Sequence, residues 1–253
     1  MIALTFRVGS VAVLAAAAAS SAVAAGAVTP SGDTVPENLL RIELHLTRPL
    51  RHALAMDHVR LVDEGGDPIA NAFLDLPLPG DDGRTITLLL HPGRVKSGVG
   101  ANLAMGRALR AGHEVELVVD DPQLPSPMYK HWHVSQEREE SLSPPDWQLT
   151  LPAVGSLMPL RVRLGSPLTW SATALIAVRN PDGERAAGVT SLRDGETIWE
   201  FRPAKPWRAG HYGLVVHPRL EDVAGNRPCT PFETVGLSAL PCAIEERGFD
   251  LTR

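Results

Sequence analysis

The stretch Arg208-Ala209-Gly210-His211 repeats Arg110-Ala111-Gly112-His113 at an offset of 98 residues, and this repeat is the clearest indication of the fold. Three more pairs of similar stretches follow the same order along the chain: Leu44 to Leu50 with Val162 to Leu168, Asp63 to Gly66 with Asn180 to Gly183, and Leu88 to Pro92 with Trp199 to Pro203. The offset only shrinks, from 118 to 98, as it would if one module was copied and the first copy later gained loop residues. The sequence therefore predicts two similar domains in tandem, at 34–136 and 147–236.

Apolar and polar residues alternate through both copies, with a period of two. The clearest runs of alternating apolar residues are Leu40, Ile42, Leu44 and Leu46; Ile86, Leu88 and Leu90; Val115, Leu117 and Val119; Leu160, Val162 and Leu164; and Tyr212, Leu214 and Val216. This pattern is typical of strands with one face in a core and one face in water. Gly and Pro, 22 of each, separate the runs as turns. The sequence thus predicts an all-β protein of two antiparallel β-sandwiches.

The N-terminus has the features of a secretory signal peptide over residues 1–25. Arg7 supplies the positive start, Val8 to Ala19 is a short apolar run, and Ala22-Val23-Ala24 is a small-x-small cleavage site. The apolar run is shorter than the roughly 20 residues that a membrane span needs. We therefore expect an exported protein, in the periplasm or outside the cell, whose mature form has no membrane span.

The charge balance excludes some classes of partner. The chain carries a net charge of −5, with 24 basic and 29 acidic residues scattered along it. A mild, dispersed acidic excess argues against binding to nucleic acid or to an anionic membrane. We expect a monomer whose partner is an unidentified protein or glycan at the envelope.

Two cysteines, Cys229 and Cys242, lie 13 positions apart near the C-terminus. In an oxidising compartment such a pair forms one disulfide by default, and an isolated pair makes a poor zinc site. Closing a loop of this size stabilises the fold by roughly 3 kcal/mol in the chain-entropy model. We expect this disulfide to hold the C-terminal tail, 237–253, against the second domain.

Two segments differ from the repeat. Residues 137–146 are charged and then proline-stiffened, which predicts a linker of limited flexibility and a restricted mutual orientation of the domains. The stretch Gly93 to Leu109 is an insertion of the first copy, in which 101–105 form either a short helix or a plain loop. Such a loop can carry function, although a neutral surface insertion explains it as well.

The stretch Leu220 to Asn226, preceded by Trp207 to Tyr212, resembles the end of bacterial Ig-like domains of the S-layer type. In that family a strand of the form G-x-Y-x-L-x-V runs into a D-x-A-G-N turn before the last strand, here Phe232 to Val235. The resemblance covers about 147–236, and only the internal repeat extends it to the first copy. It implies an Ig-like fold in an exported, noncatalytic spacer or binding role, and it implies no substrate.

The turn within that stretch has its own physical basis. Gly225 and Asn226 tolerate positive φ, and the Asp222 carboxylate can accept hydrogen bonds from backbone amides. A calcium site at Asp222 is the weaker interpretation, because the spaced acidic ligands of a calcium loop are absent.

One stretch carries residues suited to a metal. His131 and His133 flank Trp132, so on a strand both imidazoles point to one face. With Met128 they are ligand types suited to copper in an exported protein, and zinc is a further candidate. The simpler interpretation is a solvent-exposed strand face, because no further ligand spacing is visible.

Catalytic motifs are missing from the sequence: it has no Gly-x-Ser-x-Gly elbow and no His-Glu-x-x-His. We therefore predict a noncatalytic, cofactor-free binding or spacer module at the bacterial cell envelope. Two alternatives stay open. One is a periplasmic copper- or zinc-binding protein, and the other is an accessory domain protein for a separate envelope enzyme. An exposed aromatic patch around Trp132 would favour recognition of a carbohydrate or a protein.

Overall fold

The computed structural model describes residues 26–95, 105–230 and 245–252. Their strands are β1 Gly26–Thr29, β2 Thr34–Pro36, β3 Arg41–Leu46, β4 Val59–Asp63, β5 Leu78–Pro79, β6 Thr85–Leu89, β7 Glu114–Val119, β8 Met128–Ser135, β9 Gln148–Thr150, β10 Leu160–Arg163, β11 Ile176–Arg179, β12 Gly188–Arg193, β13 Ile198–Pro203, β14 Gly210–Val216 and β15 Glu245–Leu251. Within the described residues the helices are α1 Pro92–Val95, and 3₁₀ helices at Met56–His58, Pro144–Asp146 and Trp170–Leu175.

The strands of the N-terminal half form two four-stranded sheets. One sheet has the order β1-β3-β6-β5, and the other has the order β2-β8-β7-β4. All neighbours are antiparallel except β2 and β8, which run parallel. The C-terminal half repeats this plan, with sheets of order β9-β10-β13-β12 and β11-β14-β15.

These strand orders are those of an Ig-like sandwich, in which strands A, B, E and D form one sheet and C, F and G the other. The repeated stretches fall at corresponding places in the two halves. The first pair lies on or just after β3 and β10, the second in the turns that follow β4 and β11, the third on or just after β6 and on β13, and the Arg-Ala-Gly-His pair just before β7 and at the start of β14. The prediction of an all-β fold with two Ig-like sandwiches is confirmed.

The buried hydrophobic side chains form two separate clusters. One is built from residues between Val28 and Val134, and the other from residues between Leu142 and Leu251. One residue breaks this division: Val223 belongs to the C-terminal half by sequence but is buried in the N-terminal cluster. Alternation along the strands produces these cores, as in β10, where Leu160 and Val162 are buried and the arginines that follow each of them are exposed.

Two predicted boundaries differ from the observed strands. The N-terminal half begins at β1, eight residues before the predicted boundary at 34, because β1 pairs with β3. The predicted C-terminal tail contains β15, which pairs along its whole length with β14 and completes the second sandwich. Phe249 and Leu251 are buried in alternation with exposed residues, but the charged Glu245, Glu246 and Arg247 at the start of β15 make this pattern hard to recognise in the sequence.

Several sequence predictions lie wholly or partly outside the described residues: the signal peptide at 1–25, most of the insertion after Gly93, the strand at Phe232 to Val235, and Cys242. Cys229 is described, and its pairing with Cys242 stays a prediction. Among the described residues, no helix combines the length and the apolar character needed to cross a bilayer.

Candidate functional site

His131 and His133 lie on the outer face of β8, on either side of a carboxylate from β7. His131 Nε2 is 3.3 Å from Glu114 Oε2, and His133 Nδ1 is 2.9 Å from Glu114 Oε1. Glu114 is opposite His133 in the β7–β8 register, which places its side chain on the same face. All three side chains are exposed, so the cluster is a surface His-Glu-His arrangement.

The third predicted ligand is not brought to this cluster. Met128 is buried in the N-terminal core, because it occupies the opposite phase of the strand from the two histidines. Each imidazole points to a different oxygen of Glu114. Within the described ranges, no group of three or more His, Cys, Asp or Glu side chains is arranged to hold a metal ion.

The tryptophan between the two histidines is not part of an exposed aromatic patch. Trp132 is fully buried, and its indole N–H donates to the Pro30 carbonyl at 2.9 Å. The recognition surface considered around Trp132 is therefore absent. Tyr129 and Trp170 are the aromatic side chains exposed most among the described residues, and they belong to different halves.

The predicted turn at Asp222 is a buried hydrogen-bonded unit. Asp222 Oδ1 accepts the amide N–H groups of Ala224 and Asn226 at 2.9 and 2.8 Å, and Oδ2 accepts Asn226 Nδ2 at 3.1 Å. Gly225 has a φ of 83°, in the left-handed region that favours glycine. Burial raises the pKa of the Asp222 carboxyl, while its hydrogen bonds oppose that shift.

This turn is also the centre of the junction between the two halves. Val223 inserts into the N-terminal core, and its carbonyl accepts the Leu40 N–H at 2.9 Å. On the other side, the Val223 N–H donates to the Pro167 carbonyl at 3.1 Å within its own half. A single residue thus contributes apolar contacts to one half and backbone hydrogen bonds to both.

Arg138, from the predicted linker, completes this part of the junction. Its backbone carbonyl accepts Asn38 Nδ2 and Asn226 Nδ2, both at 2.9 Å, and its N–H donates to Asn38 Oδ1 at 3.0 Å. Its guanidinium donates to the Gly165 carbonyl and to Ser166 Oγ at 2.9 Å each. Asn38 and Asn226 are fully buried, so these amides gain the partners that buried polar groups need.

A second contact joins the β12–β13 turn to the loop after β1. Buried Glu196 accepts the Ser31 N–H at 2.8 Å and the Ser31 hydroxyl at 2.6 Å. Next to it, the backbones of Gly195 and Gly32 approach so closely that a Cβ on Gly195 would lie 2.9 Å from the Gly32 Cα. Glycine at 195 therefore permits both a φ of 60° and the contact between the halves.

A third contact buries part of β3. Glu43 accepts the Trp170 N–H at 2.8 Å, and the His45 ring packs against the Trp170 ring with centroids 5.0 Å apart. Burial lowers the pKa of His45 from its ordinary value of 6.5, and nearby Glu43 partly opposes this effect. A further ion pair joins Arg41 on β3 to Glu221 beside the turn.

Sequence reasoning missed most of this junction. It placed Asp222, Gly225 and Asn226 in a turn but assigned that turn no contact with the other half. Asn38, Glu43 and Glu196 were not singled out, although each is a polar residue that is buried here. One signal was available: the Val-Ala-Gly sequence of the turn is too apolar for a loop exposed to water.

No family model matches the chain, and no curated protein matches it in sequence. In three dimensions it is similar to a chimeric titin Z1Z2 functionalised with an exogenous peptide from decorin, with 13% identity over 77% of this chain and 91% of that chain, and a TM-score of 0.27. It is similar to the titin Ig tandem domains A164-A165, with 13% identity, coverage of 86% and 89%, and a TM-score of 0.26. It is also similar to the insect immune protein hemolin, with 11% identity, coverage of 88% and 51%, and a TM-score of 0.27.

Likenesses at this level carry no argument about activity or partner. The Ig-like assignment stands on the strand order of the two halves themselves.

Proposed function

We propose that the chain is an exported, noncatalytic Ig-like protein whose two sandwiches act together as a rigid binding or spacer module at the bacterial cell envelope. The observation that carries this proposal is the junction. Three separate contacts, centred on Val223, Glu196 and Glu43, fix one half against the other through buried hydrogen bonds. A module that must present two surfaces at a set spacing needs such a fixed orientation.

The finer parts of the proposal come from the sequence. The basic and apolar stretch at 1–25 supports export, and the D-x-A-G-N turn supports kinship with Ig-like domains of the S-layer type. The motif residues are explained by their roles in folding, and this supports a noncatalytic function. The same features are compatible with an accessory protein for a separate envelope enzyme, which would use the rigid pair of sandwiches as its scaffold.

The test compares two glycine substitutions that differ in one respect. Gly195 and Gly183 both have positive φ, but a Cβ at Gly183 would meet nothing within 4 Å, whereas one at Gly195 would strike Gly32. We expect Gly195→Ala to change the small-angle X-ray scattering profile, because the halves must separate locally. Gly183→Ala should leave that profile unchanged while introducing the same kind of backbone strain.

Two results together would contradict the rigid module. Both variants would give the scattering profile of the unmodified protein, and the unmodified protein would already show segmental motion between its halves. Export has its own test: the N-terminus of protein recovered from the periplasm or medium should lie at residue 25 or 26.

Metal binding is the second candidate, favoured by the position of the Glu114 carboxylate beside both imidazoles. Histidine and carboxylate groups are ordinary zinc ligands, and imidazole also suits copper. The test is calorimetric titration of zinc and of copper into the purified protein and into a His131→Ala/His133→Ala variant, with His52→Ala as an exposed control. Binding tighter than micromolar that only the double variant loses would establish metal binding and replace the noncatalytic spacer as the leading function.

A further inference from the structure

A cleft of about 490 Å³ lies on the N-terminal half, between the loop that follows β4 and the segment that precedes β7. Three arginines line it: Arg94, Arg107 and Arg110. Arg94 comes from helix α1, and the other two come from the segment before β7. One lining residue, Glu114, also belongs to the His-Glu-His cluster described above.

Arg94 is a buried cation that has no counter-ion among the described residues. The residue is only 8% exposed, its Nη1 donates to the Met105 carbonyl at 2.8 Å, and its Nε has no hydrogen-bond partner in the described part of the chain. Across the described part of the chain, no carboxylate forms an ion pair with it. Burying a charge without a partner costs several kcal/mol, because the protein does not replace the lost hydration.

Arg107, in the same cleft, has the counter-ions that Arg94 lacks among the described residues. It forms ion pairs with Glu37, at 3.0 Å, and with Glu137. Arg110, in contrast, adds a second positive charge beside Arg94. Burial and then this like charge lower the pKa of Arg94. Two like charges beside each other form a site that an anion would complete.

Four acidic residues line the cleft; three of them are engaged in other contacts, and the fourth, Asp67, is exposed. Asp63 accepts the N–H groups of Gly65 and Asp67, Glu64 accepts the Glu114 N–H and faces His113, and Glu114 lies between His131 and His133. These carboxylates do not neutralise Arg94. They do repel multiply charged anions, which favours a single negative charge over a phosphate dianion.

We propose that Arg94 and Arg110 bind a carboxylate group, supplied either by a small organic acid or by the C-terminus of a peptide. The planar fork of a guanidinium matches the two oxygens of a carboxylate, and the partly enclosed position of Arg94 strengthens that interaction. This site does not depend on the rigid-module proposal, since all its residues lie in the N-terminal half.

The first experiment measures binding to the purified protein with sodium acetate, with N-acetyl-alanyl-alanine, and with the amide of that dipeptide. Chemical-shift perturbation is followed at constant ionic strength, with chloride as the reference anion. We expect saturable binding of the carboxylates but not of the amide, and a weakening of at least about 30-fold in Arg94→Met. Tighter binding of the dipeptide than of acetate identifies a peptide C-terminus, and equal binding identifies small organic acids.

The second experiment distinguishes a binding arginine from a structural one through thermal stability without ligand. Arg94→Met removes an unpaired buried charge, so we expect the melting temperature to rise by about 2–4 °C. Arg107→Met is the matched control: it removes the ion-pair partner of Glu37 and of Glu137, so its melting temperature should fall. The exposed Arg110→Ala should fold normally and weaken carboxylate binding by about twofold to fivefold.

Three outcomes would overturn the proposal. The first is a response to acetate that is no different from the response to chloride. The second is a fall in melting temperature for Arg94→Met like that for Arg107→Met, which would make Arg94 a structural residue. The third is tighter binding of inorganic phosphate than of either carboxylate. If Arg94→Met does not fold, unchanged carboxylate binding in Arg110→Ala would overturn the proposal in its place.

Discussion

The two halves share a strand order but differ in the chemistry of their cores. The N-terminal core is almost entirely aliphatic, with Trp132 as its one fully buried aromatic side chain among the described residues. The C-terminal core contains a chain of ring contacts that runs from Trp199 through Phe201, Trp207 and Tyr212 to Phe249, with successive centroids 5.2 to 6.1 Å apart. Alternation and turns therefore specify this fold, whereas the identity of the core side chains is free to change.

The same turn geometry also occurs in different environments in the protein. An Asp or Asn side chain accepts the amides two and four residues later at Asp63, at Asn180 and at Asp222. The first two turns are exposed hairpin turns in corresponding places of the two halves. The third is buried because it forms the junction. One local geometry thus serves as a surface turn in two places and as a connector in the third.

The largest effect on stability is expected from a substitution in the aromatic core of the C-terminal half. Trp199→Ala should lower the free energy of unfolding of the C-terminal half by about 3–5 kcal/mol, because it removes a fully buried ring stacked on Phe201. Hydrogen exchange should show lost protection in β13 and β14 while β3 and β6 stay protected. Equal loss of protection in both halves would mean that the two cores do not act separately.

The next effect compares the buried turn with its exposed counterpart. Asp222→Ala leaves two buried amide N–H groups without their acceptor and removes one of the two acceptors of Asn226 Nδ2, so it should cost about 3 kcal/mol of stability. Asp63→Ala removes the same pair of backbone hydrogen bonds at the surface, where water replaces them, and should cost much less. Urea denaturation of both variants measures the difference, and equal losses would show that the junction gives Asp222 no added importance.

A smaller effect is expected at the start of β14, where only the C-terminal half has a tyrosine. The Tyr212 hydroxyl accepts the Arg208 N–H at 3.1 Å and donates to the Arg208 carbonyl at 3.2 Å, an arrangement known as a tyrosine corner. Tyr212→Phe should therefore lower the free energy of unfolding by about 1 kcal/mol. Tyr129→Phe, whose side chain is exposed, serves as the control and should have no measurable effect in the same urea titration.

The smallest effect concerns pH. Because burial lowers the pKa of His45, the unfolded chain takes up a proton at higher pH than the folded protein does. This residue therefore contributes a loss of stability as the pH falls below about 6.5, and no change above it. His45→Gln should flatten that part of the stability profile, whereas His52→Gln, at an exposed position, should not. An unaltered profile in His45→Gln would show that burial does not lower the pKa of His45.

Much of the fold could be predicted from local patterns. The alternation at Ile42 and Leu44, and at Leu160 and Val162, correctly predicted buried strand faces, because the period of a strand is fixed by its geometry. The same rule failed at Glu43. Its position in β3 predicts a solvent-facing side chain, but the C-terminal half covers that face and Glu43 becomes buried.

The junction and the last strand could not be predicted for related reasons. Glu245, Glu246 and Arg247 have the composition of a solvated tail, and only pairing with β14 makes them a strand. Arg138 contacts Asn38 and Asn226, which lie 100 and 88 residues away along the chain, so no short-range pattern reveals these hydrogen bonds. The His-Glu-His cluster likewise needed the β7–β8 register to bring Glu114 between the two histidines.

Residual dipolar couplings measured on the whole protein test whether the two halves keep one fixed orientation, because they report the orientation of each half relative to a common alignment axis. If the contacts at Val223, Glu196 and Glu43 hold the sandwiches together, couplings from both halves should fit one alignment tensor of one magnitude and direction. Two tensors of clearly different magnitude would show that the halves reorient independently, which would contradict a rigid junction.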